Sequence, residues 1–123
     1  MKAKLNSVGF GKLQELVATE FLQLKGLKHY KSNYRCRLGE IDLIMFDSQH
    51  LVFVEVRYRS NTNFASPLES VNYTKQCKLR RCAQHFLMMH TQFQQFNCRF
   101  DVIGISPSKH NLNPEIEWIE NAF

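Results

Sequence analysis

The sequence predicts an α/β fold in which a mixed sheet is flanked by helices, with the element order αβββαβ and a weaker final strand. Apolar residues recur at helical spacing near the N-terminus and again in the second half of the chain. Between these segments, GEIDLIMFDSQHLVFVEVRYRS (39–60) has two apolar runs joined by a polar turn, which is typical of a β-hairpin. A hairpin followed by a helix and a strand indicates a sheet with antiparallel and parallel pairs.

The first helix is predicted over residues 8–25. Asn6 or Ser7 is available as its N-cap, and Gly26 is placed to end it. The next segment, 28–36, is short and polar with aromatic interruptions, which favours an edge strand. The apolar residues that define the helical spacing are Leu13, Leu16, Val17, Phe21 and Leu24.

The hairpin predicts two further strands, Glu40–Phe46 and Leu51–Tyr58. A second helix is predicted over 74–90, because this segment has one apolar face and one basic face. Residues 98–106 are rich in β-formers and predict the next strand, and 115–120 are a weaker candidate for a last one. The apolar face of the second helix contains Leu79, Cys82, Ala83, Phe86 and Leu87.

The 123 residues, 44% of them hydrophobic, predict a single domain over residues 1–123. No segment is apolar for long enough to cross a bilayer, and the two N-terminal lysines are not followed by a continuous apolar stretch. We therefore expect a cytoplasmic protein without a membrane partner. The four cysteines form no CxxC pair, so we expect reduced thiols and no zinc site.

The net charge of +5 is unevenly distributed along the chain. The last ten residues hold three glutamates and no basic residue, while basic residues gather within 25–37 and 75–81. Such clusters favour a polyanionic partner, because neutralising phosphates releases condensed counterions. An ordinary solvated surface explains the charge equally well, so both interpretations stay open.

Three carboxylates lie inside the apolar runs of the hairpin. If the turn is symmetric, Asp42 lies opposite Glu55 and Glu40 lies opposite Arg57, with all four side chains on one face. Opposed Cβ atoms are about 4.5–5.5 Å apart, and like charges at that distance repel. Asp42 and Glu55 therefore require a reason to lie together.

A hard divalent cation, Mg²⁺ or Mn²⁺, is one such reason, since it takes carboxylate oxygens and keeps waters for a substrate. The alternative is that one carboxylate pairs with Arg57 or Arg59 while the other is solvated at a sheet end. A slip of one residue in register would also place the two acids on different faces. The residues alone leave a metal site and an ion pair both open.

Five segments carry a resemblance to a known family: GKLQELVATEFLQLKG (11–26), NYRCRLGEIDLI (33–44), LVFVEVRYRS (51–60), FASPLESVNYTKQCKLRRCAQHFL (64–87) and RFDVIGI (99–105). They cover most of the chain, and GEIDLI with FVEVRYR is the most specific part. They resemble the bacterial YraN-like proteins, which are regarded as relatives of PD-(D/E)XK nucleases and archaeal Holliday-junction resolvases. The resemblance implies a restriction-endonuclease-like core.

The resemblance also implies roles for five residues. Asp42 and Glu55 would be the metal-binding acids of the two motifs, and Glu15 of the first helix would join them. Arg57 replaces the superfamily's lysine; it stays protonated, so it stabilises negative charge but accepts no proton from water. Lys75 is a candidate substitute for that lysine. For Glu15 and Lys75, a solvated surface position is the alternative.

Basic residues on both sides of these motifs are candidates for phosphate contacts. Tyr34 and Tyr58 are expected either to stack on bases or to pack in the core. Asp101 is expected to be a structural partner of a nearby arginine or backbone group rather than a metal ligand. The candidate nucleic-acid-binding residues are Arg35, Arg37, Arg59, Lys78 and Arg81.

These features predict a Mg²⁺- or Mn²⁺-dependent endonuclease that hydrolyses phosphodiester bonds, with DNA as the expected nucleic acid and branched or single-stranded DNA as one candidate substrate. The choices between DNA and RNA and between branched and linear substrates stay open. One alternative is a nucleic-acid-binding module that kept the fold and lost efficient chemistry at Arg57. Another is an interaction protein whose acids form only ion pairs and that has no affinity for DNA. A homodimer is expected only from the analogy with resolvases.

Overall fold

A computed structural model describes residues 9–60 and 66–123, and its architecture confirms the predicted mixed α/β fold. The strands form a five-stranded sheet in which neighbours in space are also neighbours in sequence. The third and fourth strands pair in parallel, and the other pairs are antiparallel. The helices and strands are α1 (Phe10–Leu24), β1 (Lys28–Cys36), β2 (Gly39–Phe46), β3 (His50–Tyr58), α2 (Tyr73–Met89), β4 (Asn97–Ser106) and β5 (Glu115–Ile119).

The two helices cover opposite faces of the sheet and close a hydrophobic cluster on each. Ala18 and Leu22 of α1 are fully buried in one cluster. Leu79 and Phe86 of α2 are buried in the other, which confirms the predicted apolar face of this helix. β3 and β4 lie between the clusters and contribute residues to both, which explains why each strand has a continuous run of buried residues. Within the described ranges, no helix is long and apolar enough to span a membrane.

The buried side of α1 matches the predicted apolar spacing only in part. Val17 and Phe21 pack against the buried cluster, as predicted. Leu13, Leu16 and Leu24 define the helical spacing in the sequence, yet they are 38%, 58% and 87% exposed. The helix carries apolar residues on two sides, and it packs through the side that contains Ala18 and Leu22. The small alanine lets the helix axis lie closer to the sheet, which favours this side over the leucine-rich one.

Local signals set the ends of α1 and the hairpin turn. α1 begins at Phe10, and the predicted caps Asn6 and Ser7 lie outside the described residues. It ends before Gly26, which adopts φ +100°, a left-handed conformation that favours glycine. In the turn, Asp47 Oδ1 accepts hydrogen bonds from the amides of residues 49 and 50 at 2.8 and 2.7 Å. These bonds, the first of them most strongly, hold the pKa of the Asp47 carboxyl below its usual range.

The hairpin register is the predicted one. Phe46 pairs with Leu51, and the regular pairing continues to Leu43 and Val54. The symmetric turn therefore fixes the relative position of the two carboxylate-bearing strands, as the sequence indicated.

A disulfide links β1 to α2, which the sequence analysis did not predict. Cys36 and Cys82 are paired, with Cα atoms 5.9 Å apart, although 46 residues separate them in the sequence. Our expectation of reduced thiols throughout was wrong for this pair. Their spacing matches no local motif, because they meet only when α2 packs on the sheet next to the end of β1.

Asp101 connects β4 to the C-terminal segment. It is fully buried and accepts hydrogen bonds from Arg99 Nε at 3.1 Å, Trp118 Nε1 at 2.9 Å and the Asn121 amide at 2.9 Å. These partners satisfy the buried carboxylate, so Asp101 has the structural role that we expected for it.

Pro67 packs directly on β4 at Gly104. A Cβ atom placed on Gly104 would lie 2.1 Å from Pro67 Cγ, which is far inside van der Waals contact. Pro67 is itself buried, so its ring cannot move out of the way without opening the packing around it. Only glycine fits at position 104 while Pro67 keeps its place.

We expect Gly104→Ala to lower the free energy of unfolding by about 1–3 kcal/mol, as overpacking of a filled core does. Urea denaturation measures the effect. Gly11→Ala is the matched control, since a Cβ at Gly11 has no atom within 4 Å and alanine favours helix. A Gly104→Ala protein as stable as the unaltered one would contradict the packing described here.

Candidate metal and nucleic-acid site

Three carboxylates from two elements converge beside the N-terminal half of α1. The nearest carboxylate oxygens of Glu15, Glu40 and Asp42 all lie within 4.8 Å of one another. Glu15 projects from the same side of α1 as the buried Ala18, which directs it toward the sheet. All three are half-buried. Clustered carboxylate oxygens are the ligands that Mg²⁺ and Mn²⁺ prefer.

Asp42 is fixed to the neighbouring strand by its side chain. The regular β2–β3 pairing ends at Leu43 and Val54, and beyond it the Val56 amide donates to Asp42 Oδ2 at 2.8 Å. The carboxylate thus takes a place that a backbone carbonyl would otherwise fill in the ladder. This bond fixes the orientation of the carboxylate through Oδ2, so Oδ1 can still bind a ligand.

Strict alternation along β2 does not hold around Asp42. Ile41 and Ile44 pack in the same hydrophobic cluster, whereas Leu43 packs in the opposite one. Our assignment of Glu40 and Asp42 to the Ile44 face assumed perfect alternation and is corrected here. With this irregularity, Asp42 lies near Glu15 of α1 on one side of the sheet and near Glu55 on the α2 side.

Glu55 is the acid on the α2 side. It is only 4% exposed, and its Oε2 atom lies 3.1 Å from an Arg57 guanidinium nitrogen and 3.4 Å from Lys75 Nζ. Its carboxyl is also within hydrogen-bonding reach of Asp42. The five residues singled out in the sequence are therefore brought together, with Asp42 joining Glu15 on one side to Glu55, Arg57 and Lys75 on the other.

Burial and neighbouring negative charge disfavour the charged forms of Asp42 and Glu15. Burial, followed by the hydrogen bond and the charge of Glu55, raises the pKa of Asp42 to about 8, against the opposing effects of the Val56 amide and Lys75. Burial also raises the pKa of Glu15, and the charge of Asp42 adds to the increase. A divalent cation would relieve this repulsion, so the donor set fits a hard metal ion.

Glu40 is a member of the acid cluster that the sequence analysis missed. We placed it opposite Arg57, whereas its Oε2 atom forms an ion pair with Arg35 Nε at 3.2 Å across the β1–β2 pair. The available signal was the spacing in GEID, which puts Glu40 and Asp42 two residues apart on one strand. The arginine expected to bind phosphate also positions this acid.

Asn33 supports Glu15 from β1. Its Nδ2 atom donates to Glu15 Oε1 at 3.0 Å, and its backbone adopts φ +55°, a left-handed conformation that asparagine tolerates better than most residues. Lys12 Nζ lies 3.9 Å from the same oxygen. The Asn33 bond lowers the pKa of Glu15 and so partly offsets the effect of burial. Asn33 was not identified from the sequence.

The predicted nucleic-acid-binding residues fall into two groups. Arg59 differs from the others, since its side chain is only 16% exposed and lies 4.0 Å from Glu117. A Cβ built on Gly39 would lie 3.8 Å from the Lys78 Cβ, so the β1–β2 turn adjoins α2. The turn and the helix therefore present basic side chains on neighbouring surfaces. The exposed residues of the set are Arg35, Arg37, Lys78 and Arg81.

A cleft of about 210 Å³ leads to the acids between α1 and the end of β3. It contains Asp42 and Glu15, and Phe10, Gln14 and Tyr58 are among the residues that form its walls. Asp42 and Glu15 are therefore open to a ligand from this side.

We expect Asp42 to make the protein less stable as the pH rises. Its folded-state pKa of about 8 lies above its ordinary value of 3.8, so between these values the folded protein binds more protons than the unfolded chain. The free energy of unfolding should therefore fall from about pH 4 to about pH 8, and Asp42→Asn should flatten this decline. Urea denaturation across this pH range measures it.

Glu120→Gln serves as the control because Glu120 is exposed and pairs with Arg99, which is not a residue of the acid cluster. An unchanged pH profile in Asp42→Asn would contradict the proposed protonation of Asp42.

Comparison with known sequences identifies the family of this chain. The profile described as "Uncharacterised protein family UPF0102" matches residues 14–105, a range that contains all four acids of the site together with Arg57 and Lys75. This result agrees with the resemblance to YraN-like proteins.

Three relatives, each called "UPF0102 protein", illustrate the match. The relative from Nitrosococcus oceani is 45% identical over 92% of this chain and 90% of its own length. Those from Desulforamulus reducens and Pseudomonas savastanoi pv. phaseolicola are 46% and 43% identical over 92% of this chain, covering 93% and 91% of their own lengths. Because the profile spans most of the sequence and the relatives cover nearly all of it, the chain belongs to the UPF0102 family.

Proposed function

We propose that this UPF0102 protein is a Mg²⁺- or Mn²⁺-dependent endonuclease that hydrolyses phosphodiester bonds in DNA. The observation that carries the proposal is the convergence of Glu15, Glu40 and Asp42, two of which, Glu15 and Asp42, line an open cleft. Lys75 and Arg57 stand next to this cluster through their contacts with Glu55. Acids for a metal beside cations for a phosphate are the parts that phosphodiester hydrolysis requires.

In this proposal, Asp42, Glu15 and Glu40 hold the metal, and Glu55 lies beside Asp42 as a further acid. A cation held there would lower the pKa of water and would stabilise the negative charge that develops on the phosphate. The Val56 amide fixes the direction of the Asp42 carboxylate before any ligand arrives. Asn33 does the same for Glu15.

Lys75 and Arg57 provide positive charge at the phosphate. Both are held by one buried acid, Glu55, so their side chains are positioned without a substrate. Arg57 stays protonated, so it stabilises a phosphorane but does not remove a proton from water. The nucleophilic water would therefore be activated through the cation that the acids would hold.

A second candidate function is a nucleic-acid-binding module with little or no catalysis. The contacts of Glu55 favour it, because this acid already has two cationic partners at 3.1 and 3.4 Å and needs no metal for neutralisation. The exposed basic residues of α2 and the β1–β2 turn would then bind the phosphate backbone alone. Metal binding at the acids separates the two functions.

We expect Mn²⁺ to bind saturably, and Asp42→Asn to abolish this binding because it removes the central carboxylate while its amide oxygen can still accept from Val56. Isothermal titration calorimetry measures the binding. Glu120→Gln, an equivalent change at an acid 54% exposed, should bind Mn²⁺ like the unaltered protein. Absence of Mn²⁺ binding, with and without DNA, would favour the binding module.

We expect the unaltered protein to cleave DNA in Mg²⁺ or Mn²⁺, and Asp42→Asn to lower the cleavage rate by about 100-fold or more while DNA affinity stays within a few-fold. Affinity should persist because the basic surface is unchanged. Cleavage of labelled branched and single-stranded DNA on denaturing gels gives the rate, and fluorescence anisotropy gives the affinity. Cleavage by Asp42→Asn at the rate of the unaltered protein would contradict the assignment of the metal site.

A further inference from the structure

A second cleft, of about 360 Å³, lies on the other side of Tyr58. It is formed by α1, by Tyr58 and by the residues between β4 and β5, among them Pro107, Ser108 and Asn111. None of the described residues that line it carries a charge. Its surface combines an aromatic ring and prolines with amide and hydroxyl groups, which suits an uncharged aromatic ligand better than a phosphate.

The uncharged cleft is adjacent to the acidic one. Gln14 and Tyr58 line both, so they form the wall between them. A phosphodiester group at Asp42 would therefore place the nucleotide beside it at the entrance of the uncharged cleft. The two clefts together present the separate chemistries of a nucleotide, its charged backbone and its neutral base.

The ring of Tyr58 is held at this boundary with an open surface. Phe10 of α1 contacts it edge to face, with ring centroids 4.7 Å apart and planes at 84°. Phe10 and Tyr58 are nevertheless 57% and 39% exposed. Exposed aromatic rings beside a backbone-binding site are the usual stacking platforms for bases of single strands.

We propose that the uncharged cleft binds the base of an unpaired nucleotide next to the scissile phosphate, with Tyr58 stacking on the base and Gln14 and Asn111 facing its edge. The inference rests on the proposed function and specifies its substrate class as DNA with single-stranded nucleotides. A base within a duplex is stacked and paired and must first leave the helix to enter such a cleft.

The test compares oligothymidylate with an abasic oligomer of the same backbone and length, and with duplex DNA, in Ca²⁺ to suppress cleavage. We expect Tyr58→Leu to weaken binding of oligothymidylate by roughly 5- to 100-fold, and binding of the abasic oligomer and the duplex by less than about two-fold. Tyr58→Phe should retain the affinity, since it keeps the ring. Fluorescence anisotropy measures all three ligands.

Two further variants guard the interpretation. Gln14→Ala alters the same wall in a helix that tolerates alanine. It should also weaken the binding of oligothymidylate more than the binding of the abasic oligomer or the duplex. Tyr73→Leu removes an aromatic ring on α2 that is 67% exposed, and it should leave all three affinities unchanged.

The failures of the inference and of the proposed function are distinguishable. Equal binding of oligothymidylate and the abasic oligomer, or equal losses on both in Tyr58→Leu and Gln14→Ala, would overturn the base site while DNA binding and cleavage still stand. No binding of any of the three ligands by the unaltered protein would overturn both. Selective loss in both variants supports the base site.

Discussion

The site depends on the hydrogen bond from the Val56 amide to Asp42. It joins β2 to β3 beyond the last regular pair and ties a half-buried carboxylate to the rigid centre of the sheet. Glu40 lies near this carboxylate because it is two residues away on the same strand, and Glu15 lies near it because α1 packs through Ala18. Glu55 approaches from β3, which the hairpin register fixes. The positions of Glu40, Asp42 and Glu55 therefore follow from sheet geometry, and the position of Glu15 follows from the packing of α1 on the sheet.

The electrostatic cost of this arrangement is unevenly shared. Glu55 is neutralised by Arg57 and Lys75, and Glu15 has Asn33 and Lys12 beside it. For Asp42, burial and Glu55 disfavour the negative charge. Their effect exceeds the stabilisation of that charge by the Val56 amide and Lys75, so the pKa of Asp42 is raised. Such local destabilisation is common where a protein prepares a site for a ligand, although ion-pair networks also produce it.

Local periodicity predicted the elements of the fold, and the symmetric turn predicted which residues of β2 and β3 face each other. The errors arose where distant segments meet. Glu40 turned to Arg35 rather than Arg57, and Cys36 met Cys82, because β1 and α2 approach β2 in three dimensions. For α1, the spacing correctly predicted Val17 and Phe21 as packing residues. It did not predict the exposure of Leu13, Leu16 and Leu24, because apolar residues occur on two sides of the helix and it packs through the side with the small Ala18.

The contacts of Glu55 limit how the proposed nuclease could work. A metal held by Asp42, Glu15 and Glu40 leaves the ion pairs of Glu55 intact, so Arg57 and Lys75 remain positioned for the phosphate. A metal that also took Glu55 would compete with both cations and release them. The first arrangement preserves both the metal and the cationic half of the site. Arginine in place of lysine is compatible with this arrangement. In it, Arg57 only stabilises the negative charge of the phosphate and is not required to accept a proton from water.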